Sequence, residues 1–111
     1  MHMICYNDNK NYERKVEILK AMAHPVRLAI LEKLRAGDMC ACVIADMFES
    51  DRTTVSKHLA ILKKAGLVDD IKEGRNIIYH LKMPCILDVM PCIEKVINQE
   101  RERKCCSSGS E

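Results

Sequence analysis

Seven cysteines are the residues of this chain best able to do chemistry. They stand at Cys5, Cys40, Cys42, Cys85, Cys92, Cys105 and Cys106. An odd count without a visible secretory signal argues against a disulfide framework, so we expect a cytoplasmic protein. In that setting thiols serve metal binding or redox chemistry. No pair has the C-x-x-C spacing, which weighs against a zinc ribbon.

Cys40 and Cys42 are separated by a single residue. Inside a regular helix such positions point about 200° apart and could not share an ion. At the start of a helix the backbone is closer to extended, so alternate side chains can face one side. A helix start also favours the thiolate that soft ions bind. The alternative is that Cys40 packs as a small hydrophobe and Cys42 is incidental.

A second group of polar residues opens an acid-free segment that runs from residue 52 to 64. Its apolar stripe, Val55, Leu59 and Leu62, has helical spacing and leaves the opposite face free to contact base edges and phosphates. A solvated helix face is the alternative, but a short helix before the segment and a basic hairpin after it favour DNA reading. The predicted DNA contacts are Arg52, Thr53, Thr54, Ser56, Lys57, His58, Lys72 and Arg75.

Composition limits the remaining possibilities. The chain has 111 residues, 48% of them hydrophobic, with no Trp and one Phe, so one small aliphatic core is expected. The net charge of +2 excludes a histone-like chain. No apolar stretch approaches the roughly 20 residues that cross a bilayer. No catalytic triad, phosphate-binding loop or pair of catalytic carboxylates is visible, which predicts a protein that is not an enzyme.

Periodicity predicts a mainly α fold with a β-hairpin wing, in the order helix-helix-helix-helix-hairpin-helix. Pro25 suits the first turn of the second helix. Asp38 is the expected cap of the third helix, and Ser50 or Asp51 that of the fourth. Pro91 should kink or divide the last helix.

The domain prediction has three parts. A flexible arm covers residues 1–10, a dimerising winged helix-turn-helix domain covers residues 11–104, and a disordered tail covers residues 105–111.

Three blocks, in order, resemble the ArsR/SmtB family of metal-sensing repressors. Residues 19–31 (LKAMAHPVRLAIL) are similar to its L-K-A-L-A-H-P-x-R-L-x-I-L block, and residues 54–68 to its recognition-helix block. Residues 73–81 match its wing. The resemblance implies a homodimer that pairs through its first and last helices, binds double-stranded operator DNA and releases it on binding an inducer.

The resemblance also bears on the thiols. Residues 39–42 (MCAC) are similar to the family's L-C-V-C motif, which binds arsenic, antimony, cadmium and lead. The inducer implied is therefore a soft metal(loid), As(III) first, with Sb(III), Cd(II) or Pb(II) as alternatives. The third cysteine of the arsenic motif is replaced by Ala45. Cys5 is the candidate to complete the site, because cadmium and lead sensors of the family use an N-terminal arm, and His2 is a weaker option. The alternative is that Cys5 is a free thiol on the arm.

Other interpretations of the thiols and of the function stay open. Cys85 and Cys92 form an alternative thiol site, set against simple packing in a dimer interface. The family's zinc site on the last helix is absent, since Met90 stands two residues after Asp88, where the family has a histidine. A repressor of the same fold switched by thiol oxidation or persulfidation is the second hypothesis. A small thiol oxidoreductase is a distant third.

Overall fold

A computed structural model describes residues 6–48 and 51–110, with side chains from 10 to 48 and from 51 to 103. Its elements follow the predicted order, with one short strand added. The order is α1 (Tyr6–Met22), α2 (Pro25–Ala36), β1 (Met39–Cys40), α3 (Ala41–Asp46), α4 (Arg52–Lys64), β2 (Val68–Glu73), β3 (Asn76–Leu81), a 3-10 turn (Pro84–Leu87) and α5 (Met90–Ser110). Within the described ranges no helix is both long and apolar enough to cross a membrane.

Helix α4 has well-defined signals at both ends. The Asp51 carboxylate accepts a hydrogen bond of 2.7 Å from the Thr54 N–H, as expected of a capping residue. This bond lowers the pKa of Asp51. At the other end Gly66 takes φ +87°, and the Leu67 N–H donates to the Leu62 carbonyl. This glycine-terminated ending turns the chain directly into β2.

The sheet has three antiparallel strands in the order β1-β3-β2. Glu73 pairs with Asn76, so the wing closes through the two residues Gly74 and Arg75, and Gly74 has φ +64°. Strand β1 was not predicted. It consists of two residues, and Cys40 lies opposite Ile78 of β3. The first thiol is therefore tied by backbone pairing to the strand that forms the wing.

One aliphatic core joins the helices to the base of the wing. The apolar stripe of α4 is buried on it, with Leu62 fully inaccessible. The buried residues are Ala21, Met22, Ile30, Leu31, Leu34, Ile44, Val55, Leu59, Leu62, Leu67, Val68, Leu81 and Leu87. The core thus fixes the back of α4 and leaves its front free.

The predicted cap of the third helix is wrong, whereas the predicted division of the last helical segment is found. Asp38 does not cap α3, because its carboxylate lies 2.7 Å from Nδ1 of His80 on β3, and Cys40 is the N-cap residue instead. The last helical segment is divided, as expected near Pro91. The 3-10 turn ends at Leu87, and Pro91 sits in the first turn of α5, where its missing N–H costs no hydrogen bond.

Helices α1 and α5 extend into the residues that were predicted to form a flexible arm and a disordered tail. Helix α1 begins at Tyr6 and α5 continues to Ser110. Neither 6–22 nor 92–108 contains proline or glycine, so nothing stops either helix beyond its apolar stripe. Residues 1–5 and 111 lie outside the described residues.

Candidate nucleic-acid interface and thiol site

The front of α4 carries the predicted DNA contacts as exposed side chains. Five of the six predicted on this helix are exposed, while the stripe behind them is buried. Lys63, at the far end of α4, is held 2.8 Å from the Asp70 carboxylate, which raises the pKa of the lysine through a hydrogen bond. Among the other cations of this helix, Arg52 and Lys57 lie in its N-terminal half with the predicted contacts, and Lys64 lies at its far end. The five exposed residues are Arg52, Thr53, Thr54, Ser56 and Lys57.

His58 is the exception among the predicted contacts. Its ring is half-buried against His24, with 4.3 Å between ring centroids, and its Nδ1 is buried without a hydrogen-bond partner. His24 caps α2 by accepting a hydrogen bond from the Val26 N–H. The exposed position expected for His58 is corrected, because the ring turns toward α2. Its geometry gives it a packing role between helices.

The contact between His24 and His58 predicts that the free energy of unfolding depends on pH. Burial lowers the pKa of His58 below its ordinary value of 6.5, and the charges of His24 and Arg27 lower it further. The unfolded chain therefore takes up the proton first as the pH falls, so the free energy of unfolding decreases from about pH 6.5 down through the folded pKa. We expect the melting temperature to drop over that range, and to drop less in His58→Gln.

His80→Gln is the matched control, because His80 lies outside the pair. This variant should keep the full loss of melting temperature on acidification. Equal pH profiles for wild type and His58→Gln, measured by circular dichroism, would contradict the burial of a neutral His58.

The wing supplies the remaining predicted contacts. Lys72 is exposed on β2 and Arg75 is exposed at the hairpin turn. Neither has an ion-pair partner among the described residues. These cations are free to meet phosphates beside the groove that a recognition helix enters.

Cys40 and Cys42 face the same side, as their position at a helix start predicts. Cys40 has extended backbone (φ −68°, ψ 144°), and α3 begins at the next residue. Their sulfur atoms are 2.8 Å apart, well beyond the about 2.05 Å of a disulfide bond. Both are free thiols; Cys40 is half-buried and Cys42 is exposed. The pair is placed so that one bound atom can contact both sulfurs.

The two thiols differ in acidity. The hydrogen bond between the two thiols is the main cause that lowers the pKa of Cys40. Backbone N–H groups of Cys42 and Val43 lower it further. The same hydrogen bond raises the pKa of Cys42. The hydrogen bond therefore makes Cys40 the more acidic thiol of the pair.

The thiol pair opens into a cavity of about 220 Å³ that α3 shares with α4 and the wing. Arg52 and Ser56 line it from α4, and Arg75 lines it from the wing. Sequence reasoning missed this shared cavity. The signal was not local, since residues 40, 52 and 75 are brought together only by the tertiary fold.

The remaining cysteines are more dispersed. Cys85 lies in the 3-10 turn and Cys92 in α5, both exposed, so the division of the segment near Pro91 places them on separate elements. Cys5 lies outside the described residues, as do the side chains of Cys105 and Cys106. Among the side chains that are described, no group of three His, Cys, Asp or Glu is placed to hold a metal ion.

Two apolar stripes face solvent on the first and last helices. All residues from 91 to 103 are exposed in α5, including apolar ones at helical spacing. The stripe on α1 comprises Tyr12, Val16 and Leu19, and that near and on α5 comprises Val89, Ile93, Val96 and Ile97. An apolar patch of this kind marks an interaction surface.

The core-anchored α4, its exposed polar front and the hairpin with basic residues define a winged helix-turn-helix regulator of transcription. A family model described as bacterial regulatory protein, arsR family, matches residues 24–70. An uncharacterised HTH-type transcriptional regulator from Methanocaldococcus jannaschii is 38% identical over 88 residues, which cover 78% of this chain and 99% of that protein. The chain belongs to the ArsR family, whose members are transcriptional regulators and not enzymes.

Two further relatives support the assignment. The arsenical resistance operon repressor of Staphylococcus aureus is 30% identical over 98 residues, covering 88% of this chain and 93% of that protein. The solution structure of a homodimeric winged helix-turn-helix DNA-binding domain from Mycobacterium bovis, a possible ArsR-family regulator, matches with a TM-score of 0.75. That similarity has 25% identity and covers 93% of this chain and 95% of the other.

Proposed function

We propose that this protein is a homodimeric repressor that releases operator DNA when Cys40 and Cys42 bind a soft metal(loid), most simply arsenite. The observation that carries the proposal is the cavity shared by the two thiols with Arg52, Ser56 and Arg75. An inducer bound to the thiols would lie against side chains that we assign to DNA. Binding of inducer and binding of operator are then coupled through the same few residues.

Operator binding is assigned to the front of α4 and to the wing. Thr53, Thr54 and Ser56 are short donors and acceptors suited to base edges, while Arg52 and Lys57 are suited to bases or phosphates. Lys72 and Arg75 would contact the backbone beside the groove. His58 remains the least supported contact, because its ring packs against His24.

Dimerisation is assigned to the exposed stripes of α1 and α5. Burying them against a second copy would remove apolar surface from water, and α5 has no other cover among the described residues. A two-fold dimer also presents two recognition helices to a palindromic operator. The homodimeric relative from Mycobacterium bovis supports this arrangement.

A charge placed in the stripe should separate the dimer. Ile93 is 44% exposed on α5, and Ile93→Glu would bury a carboxylate in the interface. We expect sedimentation velocity to give a dimer for the wild type and a monomer for the variant. Ile71→Glu is the matched control, since Ile71 is 58% exposed on the wing. A dimeric Ile93→Glu would contradict this interface.

The chemistry of the thiol pair suits a trivalent metalloid. Each thiol replaces one hydroxyl of arsenious acid: an As–S bond forms, an As–O bond breaks, and the thiol proton leaves with the hydroxyl as water. Cys40 is the first nucleophile, because its lowered pKa favours loss of the thiol proton. The third position on arsenic is left to Cys5 or keeps its hydroxyl. Antimonite, Cd(II) and Pb(II) are the other soft ions the pair would accept, whereas Zn(II) prefers four protein ligands.

The release mechanism follows from what the thiols are attached to. Cys40 is paired with β3 of the wing, and Cys42 lies on α3, which packs against α4 through Ile44. One atom bonded to both sulfurs would fix α3 relative to the wing and fill space between Arg52 and Arg75. The bound inducer would then disfavour the positions that Arg52 and Arg75 take in the DNA complex. An inducer acts in this way only if it binds the DNA-free form more tightly.

A thiol-redox switch is the second candidate, favoured by the 2.8 Å separation of the sulfurs. Oxidation would remove two electrons and two protons from the pair and join Cys40 to Cys42. The test measures operator release from the reduced protein by arsenite without oxygen, and by hydrogen peroxide without arsenite. Release by arsenite alone supports the metalloid proposal. Release by peroxide alone, reversed by dithiothreitol, supports the redox switch instead.

A further inference from the structure

A second cleft, of about 640 Å³, lies between α1, α2 and α4. It meets α4 at its C-terminal end through Ile61, Lys64 and Ala65, whereas the thiol cavity follows the N-terminal half of the same helix. Nothing in the proposed DNA or inducer chemistry uses this cleft. Its lining therefore needs a separate explanation.

The lining is cationic above an apolar base. Arg14, Lys20, Arg27 and Lys64 face the cleft with one carboxylate, Glu17, which is already 3.2 Å from Arg14. Among the described residues the other three cations have no carboxylate partner.

The most buried of these cations lacks an acceptor. The Nε atom of Arg27 is buried without a hydrogen-bond partner, and a buried donor left in this state is costly. The base is formed by Ala21, Ile61 and Ala65. An oxyanion beside the cations and an apolar group on this base would satisfy both parts of the lining.

The proposed dimer leaves the cleft open. At about 100° per residue, three of the four α1 residues that line it, Arg14, Glu17 and Ala21, lie roughly 160° around the helix from the stripe of Tyr12, Val16 and Leu19, and the fourth, Lys20, lies about 70° from it. A second copy packed on the stripe would not cover the opposite side of α1. The cleft therefore remains available to a small molecule in the dimer.

We propose that this cleft binds a small organic anion, with a carboxylate or phosphate head on the cations and a compact apolar body on Ala21, Ile61 and Ala65. The Arg14 guanidinium also donates a 2.8 Å hydrogen bond to the Ala65 carbonyl, which ties α1 to the end of α4. An anion drawn to Arg14 competes with that bond. The ligand should thus change operator affinity, an effect that rests on the proposed function.

The binding test uses methyl NMR of the full-length reduced protein. Hexanoate and hexyl phosphate should shift the methyl signals of Ala21, Ile61 and Ala65, and the more effective probe identifies the head group. Neutral hexanamide should shift them far less. Lys20→Gln and Lys64→Gln should each weaken binding about threefold, as expected for partly exposed ion pairs, while Lys33→Gln on α2 should not. Equal shifts by hexanoate and hexanamide, or shifts confined to α5, would overturn the site.

Operator binding with and without saturating hexanoate tests the regulatory part. A reproducible change in operator affinity that is lost in the Lys20→Gln/Lys64→Gln double variant supports an effector site. Binding by NMR with unchanged operator affinity would overturn that role. The two proposals can fail separately. If the ligand-free protein bound no operator, the proposed function would be contradicted, but the NMR evidence for an anion in the cleft would not change.

Discussion

Cys40→Ser and Cys42→Ser, each made alone, should bind operator like the wild type and fail to release it with arsenite. For the wild type we expect saturating arsenite to weaken operator binding by about 5–150-fold, the usual range of allosteric coupling. In either variant this factor should fall to about one, because a single thiol cannot bridge α3 to β1. Fluorescence anisotropy of a labelled operator measures both quantities.

The controls for this prediction come from the other cysteines. Cys85→Ser and Cys92→Ser should respond to arsenite as the wild type does, whereas Cys5→Ser should respond more weakly if Cys5 completes the site. Ala45→Cys adds a third thiol in the same cavity and should lower the arsenite concentration needed for release. Loss of operator affinity in Cys40→Ser and Cys42→Ser without arsenite would show that the thiols are structural. Loss of response in Cys85→Ser or Cys92→Ser would move the sensor to that pair.

Lys57→Ala and Arg75→Ala should weaken operator binding and reduce its dependence on salt. Each lost phosphate contact lowers the slope of log affinity against log salt by about one. Both side chains are exposed, one on the front of α4 and one at the wing turn, so neither substitution removes core packing. The slopes are obtained by repeating the anisotropy titration over a series of potassium chloride concentrations.

Lys33→Ala is the control for charge alone. Lys33 is an exposed lysine on α2, away from the proposed interface, and its removal changes the net charge by the same amount. Its salt slope should match that of the wild type. An equal fall in slope for Lys33→Ala would mean that net charge, and not the surface formed by α4 and the wing, controls binding. A wild-type slope near zero would contradict operator binding altogether.

The elements with local signals were predictable. Helix α4 begins after Asp51 and its stripe of Val55, Leu59 and Leu62 is buried, because a capping residue and helical spacing both lie within the segment. The hairpin was predictable for the same reason, since alternation and a glycine turn are also local. The shared orientation of Cys40 and Cys42 followed from the extended backbone at a helix start.

Features that depend on distant partners were not predictable. Strand β1 is only two residues long and exists through pairing with β3. Asp38 contacts His80, which is remote in sequence, so the local pattern around Asp38 could not show that it does not cap α3. The burial of His58 depends on His24 in the same way. The cavity that joins the thiols to Arg52 and Arg75 is the most consequential of these contacts. It places the proposed action of the inducer beside the recognition helix.

The central claim is that metalloid and operator bind to one coupled site, and reciprocal binding tests it most directly. Arsenite is titrated into the reduced dimer alone and into its operator complex, at one salt concentration. Because coupling is reciprocal, arsenite should bind the complex more weakly by the same factor, about 5–150-fold, by which arsenite weakens operator binding. Equal arsenite affinities in the presence and absence of operator would contradict the account.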